Sequence, residues 1–359
     1  MRAIGVISGT SMDGIDVAWL DGDGETIAEV GAGATYPYPA DVAERLHEVI
    51  ADPARAAGPL PELEREVTDA HCAAVEAFLA EFEIARETVA LVGLHGQTVL
   101  HRPDQRYTRQ LCDGARAAAR LQLDVVCDFR AADVAAGGQG APLVPLYHQA
   151  LAAGLERPLM FLNWGGVGNV TYLGASGEII AFDTGPANAP IDDFVRRRRA
   201  LSHDENGALA AAGRVDQALL ASWMRDPYFA KSAPKSLDRN HFHALVRGAE
   251  ALADVDGAAT LTAFTVEASA AALALVPEAP KRWLVCGGGR KNAALMRGLA
   301  ARLGVQVEAI EAIGQDGDFV EAACFAHLAL RSRRGLPLSL PTTTGVPAPL
   351  AGGVYWPRP

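Results

Sequence analysis

Asp183 is the carboxylate with the clearest chemical setting in this sequence. It closes a β-favouring run, Glu178 to Phe182, and Thr184-Gly185-Pro186 follows at once. A strand that gives way to Gly-Pro holds its last acid at the rim of a rigid sheet, a position suited to a general base. Upstream, Asn163-Trp164-Gly165-Gly166-Val167-Gly168-Asn169 is a glycine loop between an apolar strand beginning at Met160 and a strand from Val170 to Leu173. A second small-residue loop, Ser8-Gly9-Thr10-Ser11-Met12-Asp13-Gly14, follows the apolar Ile4 to Ile7. Glycine lets backbone N–H groups approach phosphate oxygens, and the hydroxyls of Thr10 and Ser11 add donors. The two loops therefore read as facing phosphate cradles. Neither is a P-loop, because no GxxxxGK[ST] occurs, and neither is followed by the helix that a dinucleotide-binding fingerprint requires.

Other polar groups sit at strand ends. His95-Gly96-Gln97-Thr98 follows the strand Val89 to Leu94; the His and Gln either reach a polar ligand there or are satisfied side chains of a turn. Asp128, Arg130 and Asp133 come after the strand Asp124 to Cys127, ahead of Gly137-Gly138-Gln139-Gly140-Ala141-Pro142. Arg130 suits bidentate capture of a carboxylate or phosphate, and an Asp–Arg–Asp network pinning the loop is the alternative. Gly287-Gly288-Gly289 joins the strand Arg282 to Cys286 to a helix, Ala293 to Leu303. It allows flat approach of a nucleobase and ribose, or an anion at the helix start; a packing turn is the alternative. Glu321 either projects into a cleft or is a solvated first-turn acid.

The elements that must hold these groups look duplicated. An ungapped shift of 153 positions lays Val17 on Val170, Leu20 on Leu173, Gly24 on Gly177, Glu25 on Glu178 and Ile27 on Ile180, with Asp16 on Asn169. Helical spacing of apolar residues predicts helices over Ala40 to Ala51 and Leu60 to Phe82. Residues 1–150 are expected to form an N-terminal domain with the first loop. Residues 151–359 are expected to form a C-terminal domain with the second loop, Asp183 and the adenosine loop.

A net charge of −11 leaves no cationic excess to displace nucleic-acid counterions, and the run Arg196 to Arg199 reads as a solvated helix face. Cys72, Cys112, Cys127, Cys286 and Cys324 contain no CxxC pair and read as free thiols in a reducing cytoplasm. No stretch is expected to approach the roughly 20 apolar residues that span a bilayer, so no membrane partner is anticipated.

Taken in order, Gly5 to Asp16, His95-Gly96-Gln97-Thr98, Asp128-Phe129-Arg130, Gly137 to Pro145, Asp183-Thr184-Gly185-Pro186 and Cys286-Gly287-Gly288-Gly289 resemble the anhydro-N-acetylmuramic acid kinases of bacterial cell-wall recycling. Asp226-Pro227-Tyr228-Phe229 and Lys235-Ser236 fit too, and the resemblance covers essentially the whole chain. Ala187, Trp164 and Gly168 depart from the pattern, which usually has Gly, an aliphatic residue and Ala there. The resemblance implies an α/β fold of the actin–hexokinase–Hsp70, ribonuclease H-like type, with a duplicated strand–phosphate loop–strand unit and an interdomain cleft that closes on ligands. It implies that ATP and Mg²⁺ are used to open the 1,6-anhydro ring with water and phosphorylate O6. Asp183 would be the base. ATP would meet Gly9, Thr10, Ser11, Met12, Asp13, Gly14, Ile15 and Asp16, then Asn163, Gly165, Gly166 and Asn169, then Gly287, Gly288, Gly289 and Asn292. His95, Gln97, Arg130 and Glu321 would meet the sugar, and Asp13 would hold Mg²⁺ through waters. A homodimer is implied. A kinase of another anhydrosugar such as levoglucosan, or a non-sugar ATPase of the same fold, are the competing readings.

Overall fold

β-Branched and aliphatic residues at alternate positions fold both halves of the chain into sheets. The computed structural model describes all residues except Thr10, Ser11, Asp13, Arg239 and Asn240. Its strands are β1 (Arg2–Ser8), β2 (Ile15–Gly22), β3 (Ile27–Tyr36), β4 (Val89–Leu94), β5 (Gln97–Arg102), β6 (Tyr107–Leu111), β7 (Val125–Cys127), β8 (Leu159–Trp164), β9 (Val167–Leu173), β10 (Ile179–Pro186), β11 (Arg282–Cys286), β12 (Gln306–Ala309) and β13 (Val354–Trp356). One sheet runs β13-β7-β4-β1-β2-β3 and another β10-β9-β8-β11-β12, while β5 and β6 pair as a separate hairpin. Read from each half's first strand, both sheets have the order third, second, first, fourth, fifth. In both, only the second strand runs against its neighbours within that core. This is the doubled core expected for an actin–hexokinase–Hsp70 ATPase fold.

Strand register refines the repeat. Ser8 faces Ile15 as Trp164 faces Gly168. Strands β2 and β9 therefore obey the shift of 153, but β1 and β8 do not, and neither do β3 and β10, since Asp16 faces Thr35 while Asn169 faces Asp183. The first loop carries three more residues than the second, and the ungapped expectation fails there.

The chain forms two compact units, residues 1–153 with 319–359, and residues 154–318. The expected boundary near residue 150 lies close to the first crossing. The expectation that everything from 151 to 359 belongs together is corrected: the last segment packs in the first unit. Helix Val320–Arg333 lies on β1, β2 and β4, and β13 pairs with β7. Glycine makes that contact possible. A Cβ on Gly5 would lie 1.9 Å from the Ala322 carbonyl oxygen, and one on Gly93 would lie 2.1 Å from that of Phe325. On the other face, Ile4, Val6, Ile15 and Val17 join Leu46, Val67 and Phe78 from helices Ala40–Ala51 and Pro61–Glu81 in one apolar core.

In the second unit, Met160, Leu162, Val170, Tyr172 and Phe182 share a core with Leu261 and Phe264 of helix Asp254–Ala270. This corrects the expectation about membrane-length segments. Asp254–Leu275 spans 22 residues with a mean hydropathy of 1.5, long and apolar enough to cross a bilayer, but 67% of it is buried inside the protein. Its apolar character is accounted for by its packing against β10 and its flanking helices.

Candidate active site

The register of the second sheet brings the sequence-predicted groups into line. Cys286 on β11 stands opposite Asn163 on β8, Asn163 opposite Asn169 on β9, and Asn169 opposite Asp183 on β10. Directly opposed residues point to the same face of a sheet and have Cβ atoms about 5 Å apart. Two candidate loop residues and the candidate base thus form one row, at the end of the sheet where the glycine loop emerges.

Asp183 is fixed from several sides. Its N–H donates to the Lys235 carbonyl (2.9 Å), its carbonyl accepts from the Tyr228 hydroxyl (2.6 Å), and its Oδ2 accepts the Leu237 N–H (2.8 Å). The segments Asp226 to Phe229 and Lys235-Ser236, which sequence reasoning used only as resemblance, form this clamp. Asp226 shapes it by accepting the Tyr228 N–H (2.8 Å). Burial drives the Asp183 carboxyl up to about 7, against the opposing pull of the Leu237 N–H and the Lys235 ammonium. A carboxyl in that range exchanges protons near neutrality, as a general base must.

The loop between β8 and β9 is pinned by its carbonyls. Gly165 O accepts from Asn188 N (3.0 Å), and Gly166 O accepts from Ala187 N (3.3 Å), at the start of helix Asn188–Arg199. A Cβ on Gly165 or Gly166 would meet nothing nearer than 3.7 Å. The protein's own packing therefore does not demand glycine at either position, which leaves room for a close ligand. Gly287 differs. Its φ is +73°, and a Cβ there would lie 2.2 Å from Asn163 Oδ1, so this glycine is needed for the turn itself. Gly289 lies against Trp164, whose Nε1 donates to Ser269 Oγ (2.9 Å). Two departures from the family pattern have local reasons: Trp164 packs under the Gly287–Gly289 turn, and Gly168 leaves space for Thr184 Oγ1, while nothing in the structure explains Ala187.

Beside these elements the second unit contains a cavity of about 480 Å³. Gly288 and Asn292 line it, with Asn188, Asp192, His203, Glu205 and Lys291, which sequence reasoning did not single out. Asn188 and Asp192 lie on helix Asn188–Arg199, and the signal that marks them is their place beside the glycine turn. Asn292 itself caps helix Ala293–Leu303, accepting from Ala294 N and Leu295 N.

In the first unit, Arg130 Nε donates to His95 Nε2 (2.8 Å) and Nη1 to the Gly140 carbonyl (2.7 Å), with Phe325 behind the guanidinium. Burial, and then the neighbouring Arg130, hold His95 well below the ordinary imidazole range. Its Nδ1 therefore carries the proton and donates to Gly96 O (2.8 Å). Glu321, exposed in the first turn of its helix, acts on Arg130 electrostatically. Arg130, His95 and Glu321 are thus brought together. The Asp–Arg–Asp network is not what forms: Asp133 instead accepts from Gly140 N and Thr344 Oγ1 (2.6 Å each).

Two expected sugar ligands are turned inward. Gln97 is fully buried, its Oε1 accepting from Ser8 Oγ (2.7 Å) and Tyr38 OH (3.2 Å) and its Nε2 donating to Gly9 O (3.2 Å). With His71, whose Nε2 is 2.8 Å from Tyr38 OH, it forms a polar network under the first glycine loop. His95 is spent on Arg130 and Gly96. In this structure both support neighbouring groups, because the turn between β4 and β5 carries them into the interior of the unit. Of the first loop, Gly9, Met12, Gly14, Ile15 and Asp16 are described. Asp16 Oδ1 accepts from Thr35 Oγ1 (2.6 Å). Thr10, Ser11 and Asp13 lie outside the described residues.

The family model for anhydro-N-acetylmuramic acid kinase matches residues 1–358. The chain belongs to that family. Among curated anhydro-N-acetylmuramic acid kinases, that of Rhodospirillum rubrum is 52% identical over 357 residues, covering 99% of this chain and 94% of the relative. That of Acidiphilium cryptum is also 52% identical, over 98% of this chain and 97% of the relative. Component A of (R)-2-hydroxyglutaryl-CoA dehydratase from Acidaminococcus fermentans is a solved structure with a TM-score of 0.51 at 11% identity. It covers 93% of this chain and 99% of that one, a likeness of fold alone. As an anhydro-N-acetylmuramic acid kinase, the chain is an ATP-dependent phosphotransferase.

Proposed function

We propose that this kinase of 1,6-anhydro-N-acetylmuramic acid uses Asp183 as its base and the two glycine loops with the Gly287–Gly289 turn as its ATP cradle. The observation that carries the reading is the row Asn163–Asn169–Asp183, with the carboxyl poised near neutral pH at the mouth of the second glycine loop. Asp183 takes a proton from water as the water oxygen bonds to the anomeric carbon. The bond from that carbon to O6 breaks, and O6 attacks the γ-phosphorus in line. The bond to the β-phosphate oxygen breaks, leaving N-acetylmuramate 6-phosphate and ADP, and Asp183 returns its proton to solvent. Catalysis of the phosphoryl step rests on positioning and charge neutralisation, for which backbone N–H donors suffice without another titratable side chain.

Arg130 is proposed to pair with the lactyl carboxylate of the sugar, with Glu321 also contacting the sugar. Mg²⁺ bound with ATP would neutralise phosphate charge, and Asp13 is the residue proposed to hold it through waters. Among the described residues no three His, Cys, Asp or Glu side chains gather as a metal site. That suits an ion that keeps several waters and takes one or two carboxylates beside phosphate oxygens. Five free cysteines agree with the proposed cytoplasmic location. A homodimer is proposed from the family resemblance, and light scattering on the purified protein at working concentration checks it.

The direct test is ADP release from ATP and Mg²⁺ with 1,6-anhydro-N-acetylmuramic acid, beside levoglucosan, N-acetylmuramic acid and no sugar. Release confined to the anhydromuramic substrate, with a 6-phosphate product, is expected. Equal release without sugar would overturn the reading. The second loop supplies another prediction. Gly166→Ala fits the fold, so its unfolding free energy should stay within about 0.5 kcal/mol of the parent. The added methyl occupies space reserved for phosphate, so KM for ATP should rise roughly tenfold or more. Paired melting curves and ATP titrations read both quantities.

A further inference from the structure

We infer that Lys235 is a positioning residue of this site, supplying the fixed positive charge that keeps Asp183 a carboxylate when the base is needed. The inference rests on Asp183 being the base. The Lys235 backbone already brackets that residue, since its carbonyl accepts the Asp183 N–H (2.9 Å) and the Leu237 N–H two residues on binds Asp183 Oδ2 (2.8 Å). The side chain is half-buried and turns back over the Tyr228 ring, with Nζ 4.4 Å from the ring centroid and donating to the Tyr228 carbonyl (3.1 Å). The same Tyr228 holds Asp183 by its hydroxyl, and Phe182, the residue before the base, has its ring 5.9 Å from the ammonium.

A lysine kept for solubility or packing reaches outward to water or to an acid. Lys235 turns instead to a backbone carbonyl, and it forms no ion pair among the described residues. Its charge is held against an aromatic face next to the half-buried Asp183. Other charges around Asp183 do not replace it. Lys231 lies over the Tyr228 ring at 5.7 Å, and Asp226 is engaged by Tyr228 N and His241. Asp238 follows Leu237 on the same segment, and β9 offers the uncharged Asn169. On helix Asp254–Ala270, Asp254 pairs with Arg198 and Arg199, Asp256 accepts from Arg214 N, and Glu267 pairs with Arg302. Electrostatics agree with the geometry. Burial raises Asp183, and Lys235 is the side-chain charge that lowers it; burial in turn brings Lys235 down to about 8, so it remains charged where the base works.

The experiment is the pH dependence of kcat for the parent, Lys235→Gln, Lys235→Met and Lys235→Arg, with Asp183→Asn alongside. Gln keeps a donor for the Tyr228 carbonyl and loses only the charge, Met loses both, and Arg keeps a charge. With the neutral variants the acid limb should move up by about one pH unit, so that kcat falls about tenfold on that limb and recovers to within about twofold above it. Arg should keep the parent limb. An unmoved limb in both neutral variants, or a loss by one factor at every pH, would overturn the inference. Melting temperatures confirm that each variant is folded. Turnover retained by Asp183→Asn would instead sink the base assignment, whatever Lys235 does.

Discussion

Asp183→Asn should lower kcat by about 10³- to 10⁴-fold while changing the Kd for ATP by less than about twofold. The asymmetry follows from the site. Asn keeps an oxygen for the Leu237 N–H, and the backbone contacts to Lys235 and Tyr228 do not involve the side chain, so the row and the loop stand. Only the proton acceptor is lost. The same variant should be more stable than the parent at neutral and alkaline pH. The parent carboxyl rises from 3.8 toward about 7 on folding, so the folded state binds the proton more tightly than the unfolded chain. Its contribution to stability is therefore most favourable below the unfolded pKa and falls as pH rises to about 7, where burying the carboxylate costs most. Relief of that cost should give the variant on the order of 2 kcal/mol above pH 7 and almost nothing near pH 4. Denaturant titrations at the two pH values, with single-turnover assays, check both halves. Equal stability differences at both would deny the burial that raises the carboxyl.

Arg130→Ala should lower kcat/KM for 1,6-anhydro-N-acetylmuramic acid by about 30- to 150-fold, a loss of roughly 2–3 kcal/mol for a charge-assisted contact. Levoglucosan lacks the lactyl carboxylate, so whatever activity it supports should change little. Arg130→Lys should not restore the loss. The guanidinium is gripped along one edge by His95 Nε2 and at one tip by the Gly140 carbonyl, and a single ammonium cannot satisfy both and still present a donor pair outward. His95→Ala should reproduce part of the defect through KM while leaving kcat nearly intact, because it frees Arg130 without removing it. A proportional loss on levoglucosan would mean that Arg130 supports the fold and not the carboxylate.

Much of this arrangement was legible in the sequence. Alternating apolar residues ending at Asp183 and glycine loops after short strands marked the hairpins and the candidate base, and the shifted repeat marked β2 and β9, because each signal is local. The row across β8, β9 and β10 was not explicit, since register depends on backbone pairing between segments. Two losses have the same origin. A polar residue after a strand reads as a ligand contact, but whether it faces a ligand or the interior depends on the next turn, and Gly96 at φ +75° sends Gln97 inward. Lys235 lies in a loop without periodicity, and only the hydrogen bonds on either side of it reveal its task. The reading of Glu321 as a first-turn acid implied a helix there but not which sheet that helix would cover.

That helix, with β13, makes the second unit an insertion within the first, and this orders their assembly. Residues 154–318 are contiguous, so a chain growing from its N-terminus can finish this unit while the ribosome is still making the remainder. The first unit begins earlier and ends later, because β1 and β4 lack the cover of helix Val320–Arg333 until that segment is synthesised. During this interval a nascent chain would present the bare apolar face of an unfinished sheet. Its greatest exposure to misassociation would fall in the older half of the polypeptide.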